Sequence, residues 1–467
     1  MRATGHEFTT VKDEMRRNLV ARLRAGEDPF PGILGFDQTV RPHLERALIA
    51  GHDVILLGER GQGKTRLIRT LTGLLDEWSP VITGCEINDH PYAPVCVRCR
   101  RLADEMGDEL PVSWRHRDLR YGEKLATPDT SVGDLIGDID PVKVAEGRTL
   151  GDPETIHYGL VPRTNRGVFC LNELPDLAER IQVSLLNVLE ERDIAVRGYA
   201  LRLPLDLVLV ASANPEDYTN RGRIITPLKD RFGAEIRTHY PLSLEDELAV
   251  VRQEAEIAWA STASHGVADT GDSPDAVLPA HLVEVIARFT RLVRSSPAVD
   301  ARSGVSARFA IAAAEAAVAA AVRRAAISGE DQPVARICDL PAVVITLRGK
   351  VEFEVSEEGR EAEVLEHLLR RATADTFRAH LGSADLTGLI ARFADDGSVE
   401  SSDLLPAAEL LRRIGEVPGL AKIMDRLDGG GESFGQAAAA LEFALEGLYL
   451  MRRLSKDAVD GGAVYRS

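Results

Sequence analysis

At 467 residues the chain is long enough for two to four domains of ~100–200 residues each, which excludes a peptide or a disulfide-stapled miniprotein. Hydrophobic residues make up 44% and charged residues 28%, an ordinary globular balance that excludes a mostly disordered or fibrous chain. Lys plus Arg number 56 against 73 Asp plus Glu, a net charge of −17, which opposes broad attachment to nucleic acid or to an anionic membrane.

The N-terminus carries Glu7, Asp13 and Glu14 and lacks the apolar core of a secretory signal. The longest apolar stretch, near Ala310 to Val322, is interrupted by Glu315, whereas a membrane span needs ~20 mostly apolar residues. A cytoplasmic protein without membrane insertion is expected. Of five cysteines, Cys85, Cys96 and Cys99 crowd together, which fits reduced thiols or a metal site better than a disulfide framework.

In chain order, residues 1–30 read as a polar helical lead-in that ends at Pro29 and Pro31. Asp53 to Leu57 is a short apolar run ending in a glycine-rich turn, and Arg66 to Leu75 has apolar residues at helical spacing. Two more apolar runs, Val168 to Leu171 and Leu207 to Val210, end at Asn172-Glu173 and at Ser212-Ala213-Asn214-Pro215. Buried parallel strands read as continuous apolar runs because helices cover both faces of the sheet, so residues 31–240 are expected to form an α/β core, with 85–120 as an insertion. Asp193 to Leu205 alternates around Arg197-Gly198-Tyr199 and predicts a β-hairpin, either a client contact or a plain surface feature.

After Pro241 the pattern turns helical, at Leu244 to Ala258, Pro279 to Val293 and Ser306 to Ala326, with an exposed loop expected over Ser261 to Pro274. Residues 241–350 read as a helical domain. Beyond a short strand expected at Arg348 to Val355, residues 351–467 form a mainly helical extension, a docking surface or a structural appendage. It includes Glu361 to His380, a flexible break at Gly429-Gly430-Gly431, and Phe434 to Leu454. The polar last dozen residues are expected to fray.

Gly58-Glu59-Arg60-Gly61-Gln62-Gly63-Lys64-Thr65 matches G-x-x-x-x-G-K-[ST] between a predicted strand and a predicted helix. Backbone N–H groups of such a loop turn inward around phosphates, Lys64 reaches the β and γ phosphates, and Thr65 ligates Mg²⁺. Nucleotide hydrolysis there needs a carboxylate near Mg²⁺ and a second to polarise water. Glu173 is the candidate base. Asn172 stands where the first acid would be, able to hold a metal-bound water but bringing no charge. Asn214 ends the third strand, where an amide orients water or senses the γ-phosphate. Arg231, within Asp230-Arg231-Phe232, is a candidate for transition-state neutralisation in a neighbouring subunit, with Arg221 and Arg223 competing, and Arg308 is a candidate contact from the helical domain. Cys85, His90, Cys96 and Cys99 form a four-ligand set suited to Zn²⁺, with three reduced thiols as the alternative and His116 further on. Cys170 and Cys338 lie in apolar runs and read as packing residues.

Phosphate loop, acidic strand, asparagine, Asp-Arg-Phe and helical arginine, in that order, resemble the AAA+ ATPases of the MoxR and magnesium-chelatase clade over about residues 31 to 330. The stretches Gly159 to Glu173, Gln182 to Arg192, and Ala213-Asn214-Pro215 leading to Pro227 through Phe232 carry the likeness. The resemblance implies a P-loop NTPase (AAA+) parallel-sheet core with a helical lid. By the same carry-over Lys64 and Thr65 are Walker A residues, Glu173 the Walker B glutamate, Asn214 sensor 1, Arg231 the finger and Arg308 sensor 2. It further implies ATP and Mg²⁺ as cofactors, a homo-oligomeric ring, typically a hexamer, and a partner bearing a von Willebrand factor A domain. The activity implied is ATP-driven remodelling of a client or activation of a metal-inserting partner. Two alternatives stay open: a nucleotide-stabilised scaffold with weak hydrolysis, and the ATPase subunit of magnesium chelatase in tetrapyrrole synthesis.

Overall fold

The computed structural model describes residues 1, 5–145, 155–190, 194–196, 199–201, 203–215, 223–259, 276–300, 304–331, 333–394, 397–428, 433–459 and 462–466. The chain forms two compact units, Met1–His239 and Tyr240–Ser467.

In the first unit, five strands, β1 (Val54–Leu57), β2 (Tyr121–Leu125), β3 (Val168–Asn172), β4 (Val208–Ala213) and β5 (Ala234–Arg237), form one sheet in the order β5-β1-β4-β3-β2. Every pairing is parallel. Strands β1, β3 and β4 are buried along their whole length, as the unbroken apolar runs predict. Successive side chains point to opposite faces. Val54, Leu56, Val168, Cys170, Val208 and Val210 pack with the helices α1 (Val11–Ala25), α2 (Val40–Ile49) and α3 (Lys64–Thr70). Ile55, Leu57, Phe169, Leu171, Leu209 and Ala211 pack on the other face with α4 (Glu179–Glu190) through Ile181 and Leu185. The edge strands β2 and β5 were not picked out by apolar content because half of their side chains face away from the core.

The N-terminal segment is more than a lead-in. Thr10 caps α1 by accepting from the Asp13 N–H at 3.2 Å, and Gly26 ends it in the left-handed region. Val11, Met15 and Leu19 are buried against the sheet. Glu14, also buried, forms a two-pronged ion pair with Arg120 at 2.6 and 2.7 Å and accepts the Asp76 N–H at 2.7 Å. Arg120 also donates to the carbonyl of Arg166 at 2.6 Å. The apolar stripe of α1 is short, and its polar residues masked it in the sequence.

The segment over 85–120 carries a helix, Val97–Met106, and a strand, Val112–His116, paired antiparallel with Trp78–Ile82. The expected hairpin pairs Ile194–Val196 with Tyr199–Leu201; its Asp193, Arg197 and Gly198 lie outside the described residues.

In the second unit, Leu244–Glu254, Ala280–Arg294, Ala307–Ser328, Leu340–Leu347, Glu361–Leu381 and Phe434–Leu450 are helices. Phe289, Phe309, Val344, Leu365, Phe377, Phe443 and Leu445 belong to one hydrophobic core, so residues on both sides of position 350 are packed together. The strand expected at Arg348 to Val355 is replaced by 3₁₀ turns at Arg348–Lys350 and Val355–Glu357. Phe353 makes only an isolated bridge with Val299, and without a longer partner the alternating apolar residues do not extend into a ladder. The described residues of the C-terminus are paired: Ser455–Val459 and Gly462–Arg466 pair antiparallel, and Ser398–Ser402 flanks the second of them. Tyr465 is buried and donates to Glu446 at 2.6 Å. The expected loop over Ser261 to Pro274 and the break at Gly429 to Gly431 lie outside the described residues. Among the described residues no helix is long and apolar enough to cross a membrane.

One charge pair in each unit has a measurable effect on stability. Glu14→Ala leaves the Arg120 guanidinium buried without its counter-charge and is expected to lower stability by roughly 3–5 kcal/mol, read from the shift of the denaturant midpoint at unchanged slope. In the second unit the His380 Nε2 lies 2.7 Å from a Glu284 oxygen, and this hydrogen bond raises the imidazole pKa above its ordinary value. A raised folded pKa makes that contribution fully present below the unfolded value, about 6.5, and lost as pH rises through the folded one. The thermal-midpoint gap between wild type and His380→Ala should therefore be widest near pH ~6 and shrink toward pH ~9.

Candidate functional site

The turn after β1 is shaped by contacts that exclude side chains. Gly61 and Gly63 have φ of 74° and 78°, the left-handed region that favours glycine. At Gly58 a Cβ would stand 2.0 Å from Thr238 Oγ1 and 2.2 Å from Gln62 Oε1. Thr238 itself donates to Gln62 Oε1 at 2.7 Å, tying the turn to the chain just beyond β5. The Gly58 N–H donates to the Ala213 carbonyl at 3.1 Å, which extends the β1–β4 pairing into the turn.

Lys64 opens α3 and is buried. Its ammonium donates to the carbonyl of Gly58, to that of Glu59 at 2.8 Å and to Asn214 Oδ1 at 2.9 Å. Asn214, also buried, follows β4 directly. Thr65 is half-buried and Arg60 exposed.

One strand further along, Ser212 Oγ donates to Asn172 Oδ1 at 3.0 Å and accepts the Glu173 N–H at 3.2 Å. Glu173 has φ 55° and ψ 47°, a left-handed conformation that costs a non-glycine residue roughly 1–3 kcal/mol and is held here by the Ser212 contact. Asn172 Nδ2 donates to Glu123 Oε1 at 2.7 Å. Glu123 lies on β2, accepts the Tyr121 hydroxyl at 2.9 Å and takes both arms of Arg69 at 3.0 and 3.2 Å. The charge that Asn172 lacks is thus present on the neighbouring strand. No motif marked Glu123, because it sits on an edge strand that the apolar pattern did not reveal.

Within the first unit, then, Lys64 and Asn214 are in direct contact, and Asn172 and Glu173 are joined through Ser212. Arg231 is exposed in the last turn of the helix Thr226–Arg231, and Arg223 is exposed before it. Arg221 lies outside the described residues. Arg308 belongs to the second unit, exposed in the first turn of Ala307–Ser328.

The cysteine loop differs from the expected ligand set. Ligand atoms of Cys85, Asp89, Cys96 and Cys99 all lie within 4.8 Å of one another, and His90 is not among them. The His90 ring stacks on His6 at 5.3 Å, its Nε2 lies 3.0 Å from His6 Nε2, and its Nδ1 accepts the Tyr92 N–H at 3.1 Å, so both nitrogens are engaged elsewhere. Burial pushes that imidazole down to about 3. Hydrogen bonds from the Cys96 and Cys99 thiols hold Cys85 down to about 3, the contact with Cys85 pushes Cys99 up to about 12, and burial lifts Asp89 to about 6.

A parallel sheet of this order, with a glycine turn from its β1 strand into a helix and an asparagine from the adjacent strand on the lysine, is the arrangement of a P-loop NTPase core. The Sigma-54 interaction domain family matches residues 149–231. The magnesium-chelatase 38 kDa subunit of Cereibacter sphaeroides is 30% identical over 226 residues, 48% of this chain and 62% of the relative. The magnesium-chelatase subunit ChlI of Nostoc sp. is 29% identical over 234 residues, 49% of this chain and 59% of the relative. Among solved structures, the complex between the BchI and BchD subunits of magnesium chelatase aligns at 21% identity over 73% of this chain and 98% of that one, with a TM-score of 0.36. The chain is thus similar to magnesium-chelatase ATPase subunits over about half of its own length, and it spans about 62% and 59% of the length of these two curated relatives.

The Asn172–Glu123 contact has a measurable consequence. Asn172→Asp would set two carboxylates at hydrogen-bond distance, so one is forced to keep a proton that the unfolded chain releases. The folded state then binds more protons, and stability falls as pH rises. The thermal midpoint of the variant should lie below wild type at pH ~8 and approach it near pH ~5.

Proposed function

We propose that the chain binds ATP with Mg²⁺ and hydrolyses it in the cytoplasm, as the motor of a homo-oligomeric ring that remodels a protein client or activates a metal-inserting partner. The observation that carries this reading is the buried Lys64 ammonium, held by two carbonyls of the glycine turn and by Asn214. A buried ammonium surrounded by exchangeable acceptors is poised to trade them for phosphate oxygens.

The donor set suits the nucleotide. The turn from Gly58 to Gly63, including Glu59, Arg60, Gly61 and Gln62, offers backbone N–H groups. Thr65 and Asn172 offer neutral oxygens for Mg²⁺, with the Glu123 carboxylate behind Asn172. Mg²⁺ would neutralise charge across the β and γ phosphates. Glu173 takes the proton of the attacking water, and Asn214 orients that water or reports the γ-phosphate. Arg231 serves the nucleotide of the adjoining subunit, a role its exposure supports and one that requires a ring. Arg308 reports nucleotide state from the second unit. By analogy with the clade the ring is a hexamer and its partner carries a von Willebrand factor A domain.

A second reading, an ATPase subunit of magnesium chelatase itself, is favoured by the 30% identity to the Cereibacter subunit. Magnesium insertion into a porphyrin by the chain with its partner subunits decides between the two.

Nucleotide titration and steady-state phosphate release test the motor reading. Lys64→Ala is expected to lose nucleotide binding. Glu173→Gln is expected to keep ATP bound while turnover falls by roughly 10²-fold or more, the usual contribution of a positioned base. Undiminished binding in the first variant would remove the glycine turn as the nucleotide site, and undiminished turnover in the second would remove Glu173 as the base.

A further inference from the structure

We infer that Cys85, Asp89, Cys96 and Cys99 hold one structural Zn²⁺ ion, a three-sulfur, one-oxygen site that fastens the segment after Trp78–Ile82 to the helix Val97–Met106.

The sequence brings these groups from two places. Cys85 and Asp89 lie on the turn that follows the strand, whereas Cys96 caps the helix and Cys99 sits in its first turn. Their ligand atoms lie within 4.8 Å of one another, and Asp89, Cys96 and Cys99 are buried while Cys85 is half-buried. A C-x₂-C pair at a helix start presents two sulfurs to one point, and a tetrahedral closed site needs two further ligands. Backbone N–H groups already face the sulfurs. The Asp89 N–H donates to Cys85 Sγ and the Cys99 N–H to Cys96 Sγ, both at 3.3 Å. Such bonds favour the thiolate form that a metal requires.

An independent observation concerns the carboxylate. Asp89 has no solvent exposure. Its Oδ2 accepts the N–H groups of Val95 and Cys96 at 3.0 and 2.8 Å, but its Oδ1 is buried with no hydrogen-bond partner. A buried, unpartnered carboxylate oxygen is costly. Coordination to a cation held by the three sulfurs satisfies it. Thiolate-rich ligation selects a soft or borderline ion with tetrahedral preference over Mg²⁺ or Ca²⁺, which take oxygen ligands. A cavity of about 290 Å³ lined by Cys85, Cys96, Arg98, Lys143 and Tyr158 borders the cluster and places two cations beside an anionic site.

The loop is also tied to the approach to β3. Asn88 donates to the Arg163 carbonyl at 2.7 Å, and Asn165 donates to the Ile87 carbonyl at 3.0 Å. Residues 163 and 165 lead directly into Val168–Asn172, the strand that ends at Glu173. The ion therefore braces a segment connected to the nucleotide site without belonging to it, and its presence is measured without reference to ATP.

The test is metal content of the purified full-length protein after saturation with Zn²⁺ and removal of loosely bound ion. About one zinc per chain is expected, as for a closed four-ligand site. Cys99→Ser and Asp89→Ala should fall below about one tenth of that, His90→Ala should retain it, and Asp89→Cys should restore a four-sulfur site. Because a variant that misfolds would also lose metal, the wild type loaded with Co²⁺ supplies a second readout. Its absorption should show a tetrahedral ion with thiolate charge transfer. A wild type that binds less than a tenth of an equivalent, a His90→Ala variant that loses zinc while Asp89→Ala keeps it, or a disulfide among the three cysteines would overturn the assignment.

Discussion

The first unit is organised around a positive charge in a place where water does not reach freely. Lys64 is buried, and a buried ammonium is tolerated only when its N–H groups find acceptors. Those acceptors come from two distant parts of the chain, the carbonyls of the Gly58–Glu59 turn and the amide oxygen of Asn214, which is 150 residues from the lysine. They meet because β1 and β4 are neighbours, with Leu57 opposite Ala213. That adjacency in turn requires the chain to cross the sheet after β1 to the far edge at β2 and return through β3. The order β5-β1-β4-β3-β2 is therefore the condition under which the lysine can be buried at all, and glycine at position 58 is the condition under which the turn can approach Thr238.

The same edge of the sheet distributes its remaining charge unusually. The end of β3 carries an amide, Asn172, and the carboxylate lies one strand away on β2, joined to it by a 2.7 Å hydrogen bond. Arg69, projecting from α3, closes this arrangement on Glu123. A carboxylate already engaged by Arg69 and a phenol is a weaker attractor for a cation than a free one, because competing partners share its charge. The amide nonetheless keeps an oxygen aimed along the sheet, held by Ser212, and Ser212 also fixes the strained backbone of Glu173. A single serine on β4 thus couples the positions of the two residues that end β3.

Segments that read as peripheral are structural in both units. The N-terminal helix contributes Glu14 to a buried ion pair with Arg120 and contributes Val11, Met15 and Leu19 to the core under the sheet. The cysteine loop is bonded through Asn88 and Asn165 to the run into β3. In the second unit the C-terminal strands are anchored by Tyr465 on Glu446. In each case a polar side chain with a buried partner fixes a segment whose own composition is unremarkable.

Local pattern was enough to read three of the five core strands, the glycine turn, Asn214 at a strand end, most of the helices of the second unit and the short hairpin near residue 198. Each depends on information carried by neighbours in the chain: a continuous apolar run reports burial on two faces, and glycines before Lys-Thr report a turn. Edge strands β2 and β5, the burial of the first helix, the C-terminal hairpin and the turns at Arg348 to Val355 could not be read this way. Whether an alternating segment becomes a strand depends on a partner strand, which Ser398–Ser402 finds in the distant Gly462–Arg466 and which Val351 to Val355, with a single bridge to Val299, lacks. The side chains gathered in the cysteine loop depend on tertiary packing in the same way. Spacing suggested His90, whereas the structure packs His90 against His6 and leaves the Asp89 carboxylate among the sulfurs. Tertiary structure alone brought Glu123 beside Asn172, since strand order is a choice among long-range pairings that no local pattern encodes.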